Sequence, residues 1–284
     1  MLRTLNDLQD YTIGASDGAI GQVKDFYFDD HAWVIRYLVV DTGGWLSGRK
    51  VLISPVAIGR PDWLARTLPV NCSMEQVRNS PEIDTERPVS RQHEMNFLSY
   101  YGYPYYWAGP GLWGTVPFRD LNMPGFAGAQ TMPPALQTPP PALQTAAAKS
   151  LMAAEAVRRQ DDDPHLRSCA VVTGYHALAT DGDIGHIAAI LVEEDSWVIR
   201  YLVIDTSNWW LGHQVLVAPQ WVGEVRWADA TVAVRMSRAA VRAAPPYDST
   251  AALDRVREIA IYEHYGRPVY WVGGDTGAAS PRRA

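Results

Sequence analysis

Residues 33–42 read WVIRYLVVDT and residues 197–206 read WVIRYLVIDT, with Val40 and Ile204 the one difference between them. The run is dense in β-branched and aromatic residues and too short for a good helix, so it predicts a central β-strand. Alternation places Val34, Arg36, Leu38 and Val40 on one face, and Trp33, Ile35, Tyr37 and Val39 on the other.

Working outward, the two stretches sit in longer matching segments. At a constant offset of 164, Tyr11–Gly109 aligns with Tyr175–Gly273 without a gap, and roughly 37 of the 99 positions are identical. Two copies are too few for a solenoid and read as an internal duplication of one domain. The landmarks recur too: Asp17-Gly18 with Asp181-Gly182, Trp45 and Pro55 with Trp209 and Pro219, Tyr106-Trp107 with Tyr270-Trp271.

Before each central strand, Ser16-Asp17-Gly18 and Thr180-Asp181-Gly182 give hairpin-turn chemistry. The strands Val23–Phe28 and Ile187–Val192 follow, the second apolar on both faces and so covered on both sides. After the central strand come a glycine-containing loop, then KVLIS or QVLVA closed by Pro55 or Pro219. A further strand is expected over Trp63–Val70 and Trp227–Val234.

The last third of each copy changes to helical period. Ser73 with Gln76 is a capping-box signature, and a second helix is expected from Ser90 or Thr250 to a C′ glycine at Gly102 or Gly266. The expected domains are therefore 1–109 and 166–273. Between them lies a 110–165 linker in which PPALQT occurs twice in a Pro/Ala-rich tract, and 274–284 is a tail.

The segment IGQVKDFYFDDHAWVIRYLVVDTGGWLSGRKVLISP, Ile20 to Pro55, resembles the PRC-barrel family. SPEIDTERPVSRQHEMNFLSYYGYPYYW, Ser80 to Trp107, resembles the extension found in many bacterial members. The resemblance implies a mainly β fold: two tandem small SH3-like barrels with short helices, packed as a pseudo-twofold pair. Related barrels occur in the photosynthetic reaction-centre H subunit and in ribosome-maturation factors, where they serve assembly or docking.

Composition narrows function. The chain has 284 residues, 47% of them hydrophobic and 20% charged, with a net charge of -6, a balance that argues against a generic nucleic-acid binder. Two cysteines, Cys72 and Cys169, cannot build a disulfide framework and fit a reducing compartment. The N-terminal MLRTLNDLQDYTIG has no apolar signal core, and no run is long enough to span a membrane, so a cytoplasmic protein is expected.

Comparison across the offset tests for chemistry shared by the copies. No histidine faces a histidine, Cys72 faces Met236, and Cys169 faces Leu5. Solvated or capping histidines and core thiols are expected, with no catalytic residue, cofactor or metal site. Recurring polar positions include Arg36, Asp41, Arg91 and Glu94, matched by Arg200, Asp205, Arg255 and Glu258. Arg36 and Arg200 lie among apolar neighbours, so the charge must either leave at a barrel mouth or find a carboxylate, with Asp41, Asp205 or Asp84 the candidates. The alternative is an anion site.

Trp45, Trp209 and Trp210 sit on polar turns. Uncovered, they would be partner hot spots; covered, they would plug a barrel end or lie between copies. The leading expectation is a non-catalytic docking scaffold for a protein partner. Small-molecule sensing between the barrels and ribosome or RNA association are the alternatives.

Overall fold

The computed structural model describes residues 1–81, 89, 91–107, 111–114, 165–206 and 213–271. Most of the expected linker, the 274–284 tail, Asp84, Trp209 and Trp210 lie outside the described residues. Of the expected linker, Gly111 and Gly114 exchange backbone hydrogen bonds of 3.1 and 3.2 Å, and Trp113 between them is buried.

The strands of the first repeat are β2 (Thr12–Ala15), β3 (Gly18–Asp29), β4 (Val34–Asp41), β5 (Lys50–Ile53) and β6 (Thr67–Pro69). Those of the second are β8 (His176–Ala179), β9 (Gly182–Glu193), β10 (Ile199–Asp205), β11 (Gln214–Val217), β12 (Val222–Arg226) and β13 (Thr231–Val234). Ahead of them stand β1 (Leu2–Thr4) with helix α1 (Leu5–Leu8), and β7 (Leu166–Ser168) with α4 (Cys169–Val172). One sheet runs β5-β4-β3-β2-β6 with β7 added on β3. The other runs β11-β10-β9-β8-β13-β12 with β1 added on β9.

β4 is buried along both faces, from Val34 to Val40, as a central strand should be. Trp33 lies outside it, because its φ of 55° is left-handed; Trp197 repeats this with 58°. That conformation is costly for a bulky side chain and is held by packing, Trp33 stacking on Phe28 at 5.3 Å.

Neither sheet closes into a barrel, which corrects the expectation from the sequence. β5 ends at a 3-10 turn, Pro55–Ala57, and β11 at another, Pro219–Trp221. Proline fixes φ and offers no N–H, so the ladder cannot run on. β5 and β6 remain opposite ends of one path, β11 and β12 of the other.

The strand expected from Trp63 begins only at Thr67. Asp62 Oδ1 accepts from the N–H groups of Leu64 and Ala65 and holds a turn, with Arg66 at φ 52°. In the second repeat Ala230, at φ 51°, marks the equivalent delay before β13.

Helix α2 (Met74–Arg78) carries the full capping box between Ser73 and Gln76, and α5 (Arg238–Arg242) is capped by Ser237. Helix α3 spans Arg91–Tyr101, close to expectation. Helix α6 (Arg255–His264) starts five residues after the expected Thr250. Thr250 is engaged with Asp248, and Asp254 caps the helix through Arg257 N at 2.9 Å. Gly102 and Gly266 end α3 and α6 at φ 69° and 61°. Bonds from Tyr103 N to Leu98 O and from Arg267 N to Tyr262 O complete both C-caps.

The chain falls into two compact units. One comprises Asp10–Lys24 and Tyr37–Arg167; the other comprises Met1–Gln9, Asp25–Arg36 and Ser168–Ala284. In the latter, β1 pairs with β9 in antiparallel register, Leu2 opposite Glu193 and Thr4 opposite Leu191. In the same unit Ile35 N donates to Trp197 O at 2.9 Å, and Ile199 N to Trp33 O at 2.8 Å.

Candidate functional site

Arg36 and Arg200 both find carboxylates, but not at Asp41 or Asp205. Arg36 Nη2 donates to Asp29 Oδ2 at 3.3 Å, and Arg200 Nη2 to Glu193 Oε2 at 2.6 Å. Positions 36 and 41 differ by an odd number along one strand, so their side chains leave opposite faces. Asp41 Oδ1 instead accepts from Gly43 N at 2.9 Å. Burial pushes Glu193 up, but hydrogen bonds from Ser196 and Arg200 and the Arg200 charge outweigh it and hold the carboxyl below its ordinary range.

The recurring glutamates are the centres of two buried clusters. Glu94, fully buried on α3, accepts at Oε1 from Tyr37 Oη (3.1 Å) and Tyr106 Oη (2.6 Å). His165 Nε2 lies 2.8 Å from Glu94 Oε2 and 3.1 Å from Tyr106 Oη. In place of the solvated or capping role expected of it, His165 lies within hydrogen-bond distance of both groups in a largely buried site.

In the other unit Glu258 on α6 accepts at Oε1 from Tyr201 Oη (2.8 Å) and Tyr270 Oη (3.1 Å), and at Oε2 from Arg255 Nη1 (2.9 Å). The Arg255 guanidinium lies over Trp271 at 4.2 Å, and that of Arg200 over Tyr270 at 4.1 Å. Burial, then the Glu258 charge, pushes Tyr270 up to about 12. Each glutamate ties its helix to the central strand through a tyrosine. A carboxylate engaged on both oxygens is a structural rivet.

Asp29, Asp30 and His31 bring three potential metal-ligand atoms within 4.8 Å of one another. Asp29 is already committed, accepting at Oδ1 from His31 N (3.0 Å) and Ala32 N (3.2 Å) and at Oδ2 from Arg36. The arrangement caps the turn into β4.

Trp45 is half-buried, its indole N–H donating to the Ile20 carbonyl and its ring lying under Arg78 at 5.8 Å. Both cysteines are buried, and burial pushes Cys72 up to about 12 and Cys169 well above its ordinary value, so both remain thiols at neutral pH.

The apolar surface that the described residues leave open includes one side of α6. Glu258, Ile261 and Tyr262 face inward, whereas Val256 is 74% exposed and Ile259 39%. Sequence reasoning passed over this pair because it counted apolar periodicity only toward the core. It passed over Asp29 and Glu193 because it compared identities: these positions match at the offset of 164, both acidic but different residues. No described helix is long and apolar enough to cross a membrane.

Comparison with known proteins agrees with the fold. Residues 3–61 match the family model for the PRC-barrel domain. A Deinococcus radiodurans protein described as "Uncharacterized protein" is 43% identical over 49 residues, covering 17% of this chain and 18% of that protein.

Proposed function

We propose that this PRC-barrel protein is a non-catalytic docking module of the cytoplasm, built from a duplicated domain, and that it engages a protein partner through the exposed side of α6. The observation that carries the reading is the pair Val256 and Ile259, one helical turn apart and open to solvent on a helix whose opposite side is riveted by Glu258. Glu263, exposed one turn further on, supplies a charge at the end of the stripe. The partner that fits is a short amphipathic helix, with apolar residues at i and i+3 or i+4 and a cation placed to meet Glu263. The saturated hydrogen bonding of both glutamate clusters supports a structural rather than a catalytic use of the most buried charges.

The test is retention of a stoichiometric partner by the full chain and by Val256→Asp/Ile259→Asp, with unfolding curves confirming that the variant keeps its stability. The expected result is a partner retained by the natural chain and weakened at least ~10-fold by the variant, since losing two apolar contacts is worth about 1.4 kcal/mol or more. A partner held equally by both proteins would place docking elsewhere.

A further inference from the structure

Within the unit that contains α6, a cleft of about 300 Å³ opens between β11, the 245–253 segment and the start of α6. Its apolar lining includes Leu216 on β11, Leu253 and Ile261. The 245–253 wall is pinned to β11 by Tyr247 N, which donates to Gln214 O at 2.7 Å. The volume is at the small end of natural ligand sites, which run from about 300 to 1,000 Å³.

In the other repeat Leu52 and Phe97 occupy the positions of Leu216 and Ile261. Exchanging a phenyl ring for a smaller aliphatic group removes side-chain volume from that spot, beside the cleft.

Two opposite charges line the cleft, Asp248 and Arg257. Asp248 Oδ1 accepts from both Thr250 N (2.8 Å) and Thr250 Oγ1 (2.6 Å), and these bonds hold the carboxyl below its ordinary range, with Arg257 contributing. Among the described residues no bond engages Oδ2. Arg257 spends Nη1 on a 3.3 Å bond to Ala252 O, and no ion pair joins it to Asp248. An anion and a cation that line one small, largely apolar cleft with no direct ion pair between them suit a ligand that carries both charges on one carbon.

We infer that the cleft binds a free α-amino acid with an apolar side chain. The ammonium group meets Asp248, the carboxylate meets Arg257, and the side chain lies against Leu216 and Ile261. This site is independent of the docking reading.

The experiment is calorimetric titration of the full chain with L-leucine and L-phenylalanine, beside 4-methylpentanoate, which lacks the ammonium, and isoamylamine, which lacks the carboxylate. One-to-one binding of at least one amino acid is expected, at least ~10-fold tighter than either truncated probe. Ile261→Phe, which installs the residue of the other repeat, should abolish binding with an unchanged melting temperature, and Arg257→Gln should weaken it at least ~10-fold. Val256→Asp/Ile259→Asp should bind the amino acid normally, which separates this site from docking. The inference is overturned if neither amino acid binds up to about 10 mM, if a truncated probe binds as well, or if Ile261→Phe binds like the natural chain.

Discussion

Glu193 shares its carboxylate between Ser196 Oγ, at 2.7 Å, and the Arg200 guanidinium, and its carboxyl is held below the ordinary range. A group whose pKa is lower in the folded than in the unfolded chain stabilises the fold at pH values above its unfolded value, about 4.3 for glutamate. That contribution is lost as pH falls through the folded value. The melting temperature of the natural chain should therefore exceed that of Glu193→Gln at pH 7. The gap should narrow as pH falls below about 4.3, the unfolded value, and through the lower folded value. Scanning calorimetry from pH 7 to 2.5 checks this, and a gap that stayed constant would remove the ion pair from the account. As charges among aliphatic neighbours, Arg36 and Arg200 showed in the sequence that they must reach solvent or a carboxylate. The partner was hidden because it lies seven residues away, before the turn into the strand, where only the fold brings it back.

Among the elements, the central strands were legible because β-branched density and period two both follow from strand geometry. The capping box at Ser73 and the glycine C-caps were legible because each is a local hydrogen-bond requirement. The late starts of β6 and α6 were not, since Asp62 and Asp248 draw nearby N–H groups into turns that compete with propensity. Nor could sequence show why Gly185 recurs opposite Gly21. A methyl group at Gly185 would overlap the carbonyl of Asp205, and one at Gly21 that of Asp41, so in each repeat the hairpin strand runs against the end of the central strand. Gly174, at φ 102° with open space around it, provides the control. In urea titrations Gly185→Ala should cost about 3 kcal/mol or more, and Gly174→Ala only the ~1–2 kcal/mol of backbone strain. Equal costs would mean that the close approach does not constrain the fold.

At the scale of the molecule, β1 and α1 belong to the unit of the second repeat's sheet, with Leu5 and Leu8 buried and Arg3 Nε donating to Glu194 Oε1 at 2.8 Å. Matching segments at a fixed offset made the recurrence legible, but an alignment says nothing about which sheet a three-residue strand joins. Removing residues 1–9 would bare the β9 backbone at Leu191–Glu193 and empty the sites of two leucines. At roughly 2–5 kcal/mol for each lost leucine side chain, the truncated chain should unfold at markedly lower urea or aggregate through the open strand. A midpoint within error of the full chain would show that the segment is dispensable.

The pairing of β1 with β9 also sets an order of events during synthesis. Arg3 and Glu194 are 191 residues apart, so at about 5–20 residues per second the ribosome takes on the order of 10–40 seconds to deliver one after the other. Throughout that interval the Leu2–Leu8 segment is outside or in transit with its apolar side chains unpaired, a nascent chain waiting on its own distant half. That wait leaves Leu5 and Leu8 without the distant strand against which their helix packs.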